Sequence, residues 1–199
     1  MPDSDELKLF SDEQLFRRVK DGDIVAFDEL YSRYSHRLLH FLLRLLNGNE
    51  SRAQDLLQDI FLKVLDNSSC FDDTKKFSTW IYTIAHNICK NEYRHRQNRK
   101  IVDLTEIDFS TRAAVDVPES AMDKIDLENF SQKLLLLLNF LPADQRSTFL
   151  LRFQENLSIA EIAAIMNCPA GTVKSRLYYT LSLVAERLKI YDPNKTEVL

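Results

Sequence analysis

The side chains best suited to contact a nucleic acid lie between residues 170 and 180. Lysine and arginine can bind phosphates or the edge of guanine, and serine and threonine hydroxyls can hydrogen-bond to either. At helical spacing the apolar residues of this stretch fall on one face and the polar residues on the other. The sequence therefore predicts a DNA-contacting face made of Thr172, Lys174, Ser175, Arg176 and Tyr179.

Two short helices and a turn must position these side chains. Ser158 and Glu161 have the spacing of a capping box that starts the first helix, and Pro169 is well placed to open the second. The second helix is expected to turn inward Val173, Leu177, Leu181, Val184 and Leu188. This pattern predicts a helix-turn-helix, whose second helix enters the major groove of DNA. The alternative is a pair of packed amphipathic helices that does not bind DNA. The clustering of polar residues on the second helix disfavours this alternative.

A second candidate surface lies on a helix predicted over residues 76–99. Its inward residues are expected to be Phe77, Trp80, Ile81, Ile84, Ala85 and Ile88. The outer face would then present Ser78, Thr79, Tyr82, Thr83, His86, Asn87, Lys90, Asn91 and Arg94. Amides, hydroxyls, aromatic rings and cations together suit single-stranded nucleic acid. The alternative is an ordinary exposed helix face, but such a face usually mixes both signs of charge.

The distribution of charge separates these two surfaces from the rest of the chain. The net charge is −4. Residues 74–100 carry seven Lys/Arg and one Asp/Glu, a local charge of +6, and residues 127–190 carry seven against five, or +2. Residues 101–126 carry two against seven, or −5. A protein that held DNA by charge alone would be basic overall, so we expect weak DNA binding without a larger partner.

Composition excludes several classes of protein. The three glycines are widely separated, which excludes a glycine-rich phosphate loop and favours an all-α fold. The three cysteines form no C-x-x-C pair, and the charged first twenty residues do not resemble a signal peptide; both observations predict a reduced, cytoplasmic protein without membrane insertion. His86, Cys89 and His95 could suggest a metal site, but no fourth ligand supports one. We predict no cofactor, no metal and no enzymatic activity.

The chain divides into two small helical domains joined by an acidic, flexible linker. Helices are expected from about Ile24 to Leu46 and from Glu50 to Leu65 in the first domain. The predicted divisions are a first domain over residues 1–100, a linker over 101–121, a helix-turn-helix domain over 122–190 and a tail over 191–199.

The order of these features resembles the extracytoplasmic-function (ECF) group of bacterial sigma factors. Residues 53–64 (AQDLLQDIFLKV) and 77–87 (FSTWIYTIAHN) are similar to sigma region 2, as is the whole stretch from about 24 to 100. Residues 141–146 (LPADQR), which lead into the helix-turn-helix, are similar to region 4, over about 127–190. Either half alone would be a moderate indication, whereas the two in order and at this spacing are strong.

The resemblance implies roles for particular residues. In the family, a D-x-x-Q-[DE] helix docks on the clamp helices of the polymerase β′ subunit, and here that helix carries Asp55, Gln58, Asp59, Leu62 and Lys63. Region 2 captures a flipped base of the −10 element on the non-template strand. By position that site would be lined by Phe71, Ser78, Thr79, Tyr82 and Asn87, with phosphates held by Lys90, Arg94 and Arg96.

Region 4 of the family reads the −35 element as duplex DNA, a role that here falls to residues 172–179. Many relatives carry arginine where this chain has Tyr179 and Leu181, so the strength of −35 binding differs from theirs. The acidic linker resembles the segment that threads a basic nucleic-acid channel of polymerase.

The function implied by the resemblance is that of an initiation factor bound to core RNA polymerase through the β′ clamp helices and the β flap. Members of the group are commonly held inactive by an anti-sigma factor, often membrane-anchored, and such a partner is expected here. Two alternatives stay open on the residues alone. One is a conventional dimeric helix-turn-helix regulator, and the other is a sigma-like adaptor or anti-sigma antagonist.

Overall fold

The computed structural model describes the backbone of residues 7–103 and 127–188, and the side chains of residues 7–94 and 130–188. Within these ranges the chain forms α-helices, one 3-10 turn and no strand, which confirms the all-α prediction. The helices are α1 Asp12–Lys20, α2 Ile24–Leu45, α3 Glu50–Asp66, α4 Phe77–Asp103, α5 Leu127–Asn139, α6 Ala143–Phe153, α7 Ile159–Ile165 and α8 Ala170–Arg187. The 3-10 turn is Ser68–Cys70.

Short polar side chains set the helix starts. Ser11 forms a capping box with Gln14, and Ser158 forms the predicted one with Glu161. The Asn49 side chain accepts a hydrogen bond from the Arg52 backbone N–H at the start of α3. After α2, Asn47 and Gly48 take up positive φ values of 55° and 80°, a backbone conformation that these two residues tolerate and that ends the helix.

Helices α1 to α4 form the first module around a core rich in aromatic rings. The Phe16 ring lies 4.9 Å from that of Phe77 and 5.1 Å from that of Trp80, measured between ring centroids. Trp80 is half-buried against this core, as its spacing predicted. Aromatic pairs at this distance add to the stability that burial provides.

Helices α6 to α8 form the helix-turn-helix module. One residue of α8 that was predicted to face the core is exposed instead. Leu181 was predicted to point inward but is 43% exposed, and Thr180 is fully buried in its place. The buried stripe thus runs through Val173, Leu177 and Thr180, three and four residues apart. This shift occurs because the stripe of a straight helix follows a period of 3.6 residues, and steps of four alone drift away from the core.

The boundaries of the modules are only partly visible. Helix α4 continues to Asp103, past the predicted end of the first domain at residue 100. Most of the predicted linker, the expected start of the second domain at residues 122–126 and the predicted tail lie outside the described residues. The domain limits therefore stay predictions.

Candidate polymerase and nucleic-acid interfaces

The outer face of α3 presents all five residues predicted to dock on polymerase. The opposite face packs into the core through residues such as Leu56, Ile60 and Val64. Leu62 stands out, because 58% of this leucine is exposed. The resulting surface combines two acids, an amide, a leucine and a lysine, all exposed on one helix: Asp55, Gln58, Asp59, Leu62 and Lys63.

Ion pairs orient this helix relative to α4. Arg52 lies 2.8 Å from Glu92 on α4 and 3.6 Å from Asp55 on its own helix, measured between nitrogen and oxygen atoms. The hydrogen bond that Arg52 donates to the Glu92 carboxylate raises the pKa of the Arg52 guanidinium. The charge of Asp55 is thus supported by an arginine that also ties the helix to its neighbour.

The C-terminal half of α4 offers the polar face that the sequence predicted. Asn87, Lys90 and Arg94 are exposed, whereas Ser78 and Thr79 are half-buried near the start of the helix. The side chain of Arg96 lies outside the described residues. The amide of Asn87 and the cations of Lys90 and Arg94 are therefore accessible to solvent along one side of the helix.

Three aromatic or imidazole side chains predicted to be accessible are buried. Phe71 was expected to line the −10 site, but it is 4% exposed and its ring packs edge-on against Phe16, with centroids 5.2 Å apart. Tyr82 and His86 were expected on the outer face of α4, but both are buried. The Tyr82 hydroxyl donates a hydrogen bond to Glu155 of the helix-turn-helix module. The expected accessibility of all three was wrong, for two reasons. Phe71 packs into the core of the first module. Tyr82 and His86 lie where α4 packs against the helix-turn-helix module, a contact that the periodicity of α4 does not reveal.

The recognition helix α8 presents an exposed face of mixed character. Lys174, Ser175, Tyr178 and Tyr179 are exposed, and Thr172 is half-buried. The two tyrosine rings lie 5.7 Å apart, between centroids, in an edge-to-face arrangement. A tyrosine hydroxyl can donate a hydrogen bond to a phosphate, and the ring can pack against a sugar. Tyr179 offers both at a position where many relatives carry arginine.

Arg176 has a structural partner that the sequence did not indicate. Its guanidinium lies 2.6 Å from the carboxylate of Asp144 on α6 and is partly buried. It also lies within 3.9 Å of the Cys168 sulfur. Arg176 thus joins α8 to α6, which leaves Lys174 as the exposed cation of the predicted DNA-contacting face.

Substitution of Lys174 and of Arg176 should have different effects. Lys174→Ala is expected to lower promoter-duplex affinity about three- to tenfold and to reduce the slope of log affinity against log salt by about 0.9, because one phosphate contact is lost. Arg176→Ala should in addition destabilise the module by about 0.5–1 kcal/mol, since it removes an ion pair. Anisotropy titrations at several salt concentrations, with thermal melts of each variant, measure both. A Lys174→Ala variant with an unchanged salt slope would contradict this assignment.

The buried imidazole of His86 is expected to make folding pH-dependent. Burial lowers the pKa of His86 below its ordinary value of 6.5; Lys90 and Arg176 act in the same direction and Asp144 opposes them. As the pH falls below about 6.5 the unfolded chain takes up a proton that the folded protein resists, so the free energy of unfolding should fall. The free energy of unfolding should stop falling once the pH is below the lowered pKa that His86 has in the folded protein.

Urea titrations between pH 7.5 and 5 test this prediction. His86→Gln should flatten the decline in the free energy of unfolding, because the substituted side chain does not titrate. His40→Gln, at an exposed position on α2, serves as the matched control and should leave the decline in place. Equal slopes for the wild type and His86→Gln would exclude His86 as the source.

The described residues show neither a metal site nor a membrane span. No group of three or more histidine, cysteine, aspartate or glutamate side chains among them is arranged to hold a metal ion. His95, one of the three residues weighed for such a site, has its side chain outside the described range. None of the helices in that range is both long and apolar enough to cross a bilayer.

Comparison with known protein families identifies the family of this chain. Residues 30–99 match the family Sigma-70 region 2, and residues 131–181 match Sigma-70, region 4. The chain belongs to the ECF group of the sigma-70 family. The two matched segments contain the α3 and α4 surfaces and the helix-turn-helix, respectively, in the order that the resemblance implied.

Individual relatives agree with this membership of the sigma-70 family. The sigma factor is 33% identical over 186 residues to the ECF RNA polymerase sigma-E factor of Haemophilus influenzae, covering 90% of this chain and 96% of that protein. It is 34% identical over 185 residues to the RNA polymerase sigma-H factor of Pseudomonas aeruginosa, covering 89% and 94%. Sigma factors initiate transcription and are not enzymes, which confirms that prediction.

Solved structures show the same fold. The sigma factor RpoE of Bartonella quintana, in complex with the anti-sigma factor NepR, has 26% identity and a TM-score of 0.64, with 83% of this chain and 98% of that chain covered. CnrH, in complex with the cytosolic domain of CnrY, has a TM-score of 0.66 at 19% identity, covering 91% and 99%. The second likeness supports the fold alone.

Proposed function

We propose that this sigma factor binds core RNA polymerase mainly through the outer face of α3, which docks on the β′ clamp helices. The observation that carries the proposal is the exposure of Asp55, Gln58 and Asp59 together with Leu62 on one face of a helix. An exposed leucine among acids and an amide is suited to a protein interface, where an apolar contact is surrounded by polar ones. The helix-turn-helix module adds a second contact to the β flap.

We further propose that the holoenzyme reads two promoter elements. Lys174, Ser175 and Tyr179 on α8, with Thr172 at its start, contact the −35 duplex in the major groove. Ser78, Thr79 and Asn87 on α4 contact the unpaired −10 strand, while Lys90, Arg94 and Arg96 hold its phosphates. Phe71 and Tyr82 are left out of this set because both side chains are buried.

The remaining parts of the chain take supporting roles in this proposal. The first domain spans residues 1–100 and the second spans 122–190, with the acidic segment 101–121 threading a basic channel of polymerase. An anti-sigma factor controls the protein in the cytoplasm, and the complex of the similar sigma factor RpoE with the anti-sigma factor NepR supports this part of the proposal.

Reconstitution with core polymerase tests the proposed function. The purified protein is mixed with bacterial core enzyme, complex formation is measured by native gel and anisotropy, and run-off transcription is carried out from the DNA upstream of its own gene. We expect a stable complex that starts transcripts at one defined site. A folded protein that fails to bind core enzyme would reject the proposal; tight binding to duplex DNA without polymerase would instead favour a conventional regulator.

A further inference from the structure

A small cavity lies between the end of α2, the middle of α4 and the start of α6. Its volume is about 120 Å³, which is the space of about four water molecules in the liquid. Part of its wall is apolar and comes from Leu45, Leu46, Cys89 and Ala143. The first three of these residues are buried and Ala143 is half-buried. The cavity therefore has room and walls for a small ligand with a hydrocarbon part.

Two buried nitrogen atoms belong to residues that line this cavity. His86 is 5% exposed and Arg146 is 1% exposed. The Nδ1 atom of His86 and the Nε atom of Arg146 have no hydrogen-bond partner among the described residues, although both terminal nitrogens of Arg146 donate hydrogen bonds. Buried polar atoms are nearly always paired, because an unpaired one costs free energy. The arrangement points to a bound group with acceptor oxygens.

The imidazole of His86 can act as a donor to such a group. Burial lowers the pKa of His86 below its ordinary value of 6.5, so the ring is neutral at pH 7. A neutral imidazole with its proton on Nδ1 donates a hydrogen bond from that atom. The Nε–H of Arg146 is a donor in every state, because the guanidinium keeps its charge.

The charges around the cavity favour an anion. Lys90 and Arg94 line the cavity and are exposed, which places two cations where it meets solvent. Arg146 adds a third positive charge at its buried side. Asp144 also lines the cavity, but its carboxylate is paired with Arg176 at 2.6 Å. A ligand of negative charge would thus meet an excess of cations.

We propose that this cavity binds a small aliphatic monocarboxylate of the size of propionate. Its carboxylate accepts hydrogen bonds from His86 and Arg146, and its hydrocarbon part packs against Leu45, Leu46 and Ala143. Inorganic phosphate suits the cavity less, because apolar walls would replace part of its hydration without returning hydrogen bonds. The site goes beyond the proposed function, since it needs neither polymerase nor DNA.

Propionate is the probe for the test, and saturation-transfer NMR on the full chain detects its methyl protons while it is bound. The wild type should bind propionate with a dissociation constant on the order of 1 mM, as expected for so small a ligand. Propionamide has nearly the same shape without the charge and should bind at least tenfold more weakly. Inorganic phosphate should displace propionate only at concentrations at least tenfold higher than those of propionate.

Four variants locate the site. Ala143→Leu fills the cavity without removing a polar group, and it should weaken propionate binding at least tenfold. His86→Phe keeps a buried ring but removes Nδ1, and it should weaken binding at least fivefold. Lys90→Gln changes an exposed side chain that the fold does not need, and it should weaken the binding of propionate at least threefold and leave that of propionamide unchanged. His40→Gln, an exposed histidine on α2, is the control and should bind as the wild type does.

Thermal melts show which variants are folded, and Lys90→Gln keeps the test decisive if a core variant is not. Absence of a propionate signal from the folded wild type would overturn the site and leave a cavity that holds water only. Equal affinity for propionate and propionamide would overturn the selection of an anion, as would unchanged binding by Lys90→Gln. Full binding by folded Ala143→Leu would place the ligand elsewhere on the chain and so overturn the cavity as its site.

Discussion

Replacing Asp55 and Gln58 together with alanine is expected to lower the affinity of this sigma factor for core polymerase at least 100-fold. Both side chains are exposed on the proposed docking face of α3, and a few residues of an interface provide most of its binding energy. A 100-fold loss corresponds to about 2.7 kcal/mol, which two central contacts can supply. Competition against the wild-type protein for fluorescent core enzyme measures the change.

The matched control for this pair is Asp28→Ala, which removes an exposed carboxylate from α2. Neither variant should alter the thermal midpoint, because none of the three side chains contributes to the core. Retention of polymerase binding by the double variant would refute the docking surface. A loss of similar size in Asp28→Ala would show that overall charge, and not the α3 face, determines binding.

Arg146→Ala is expected to lower the free energy of unfolding by about 3 kcal/mol or more. The side chain is 1% exposed and makes five hydrogen bonds through its two terminal nitrogens. Two of them hold the carbonyls of Asn139 and Leu141 in the turn between α5 and α6, and three reach the end of α2. Burial lowers the pKa of the guanidinium, yet the truncated variant would leave several buried carbonyls without a donor.

Urea titration followed by circular dichroism gives this free energy, with Lys174→Ala as the control cation. Lys174 is exposed on α8, so its loss should change the midpoint little. If Arg146→Ala lowered the free energy of unfolding by less than about 0.5 kcal/mol, water would have to satisfy the carbonyls that Arg146 leaves without a donor. That result would remove Arg146 from the contacts that join the modules.

Local patterns were sufficient to predict the helices and most of the exposed faces. The predicted helix from Glu50 to Leu65 is observed as Glu50–Asp66, and the predicted polymerase-docking face is its exposed side. The capping box of Ser158 and Glu161 starts α7 as expected. These features depend on neighbours three or four residues apart, which is the range over which helical periodicity and capping act.

Only the tertiary structure shows which residues on the predicted outer faces of the helices are exposed to solvent. Tyr82 and Glu155 are 73 positions apart, Arg176 and Asp144 are 32 apart, and neither pairing leaves a periodic trace in the sequence. Periodicity identifies the helix face that packs within its own module, but it does not show that a second module covers the opposite face of α4. By itself the sequence therefore determined the fold and the family, and it predicted which helix face docks on polymerase. Packing between the modules decided that Tyr82 and His86 are buried, because contacts between residues so distant in the sequence form only once both modules have folded.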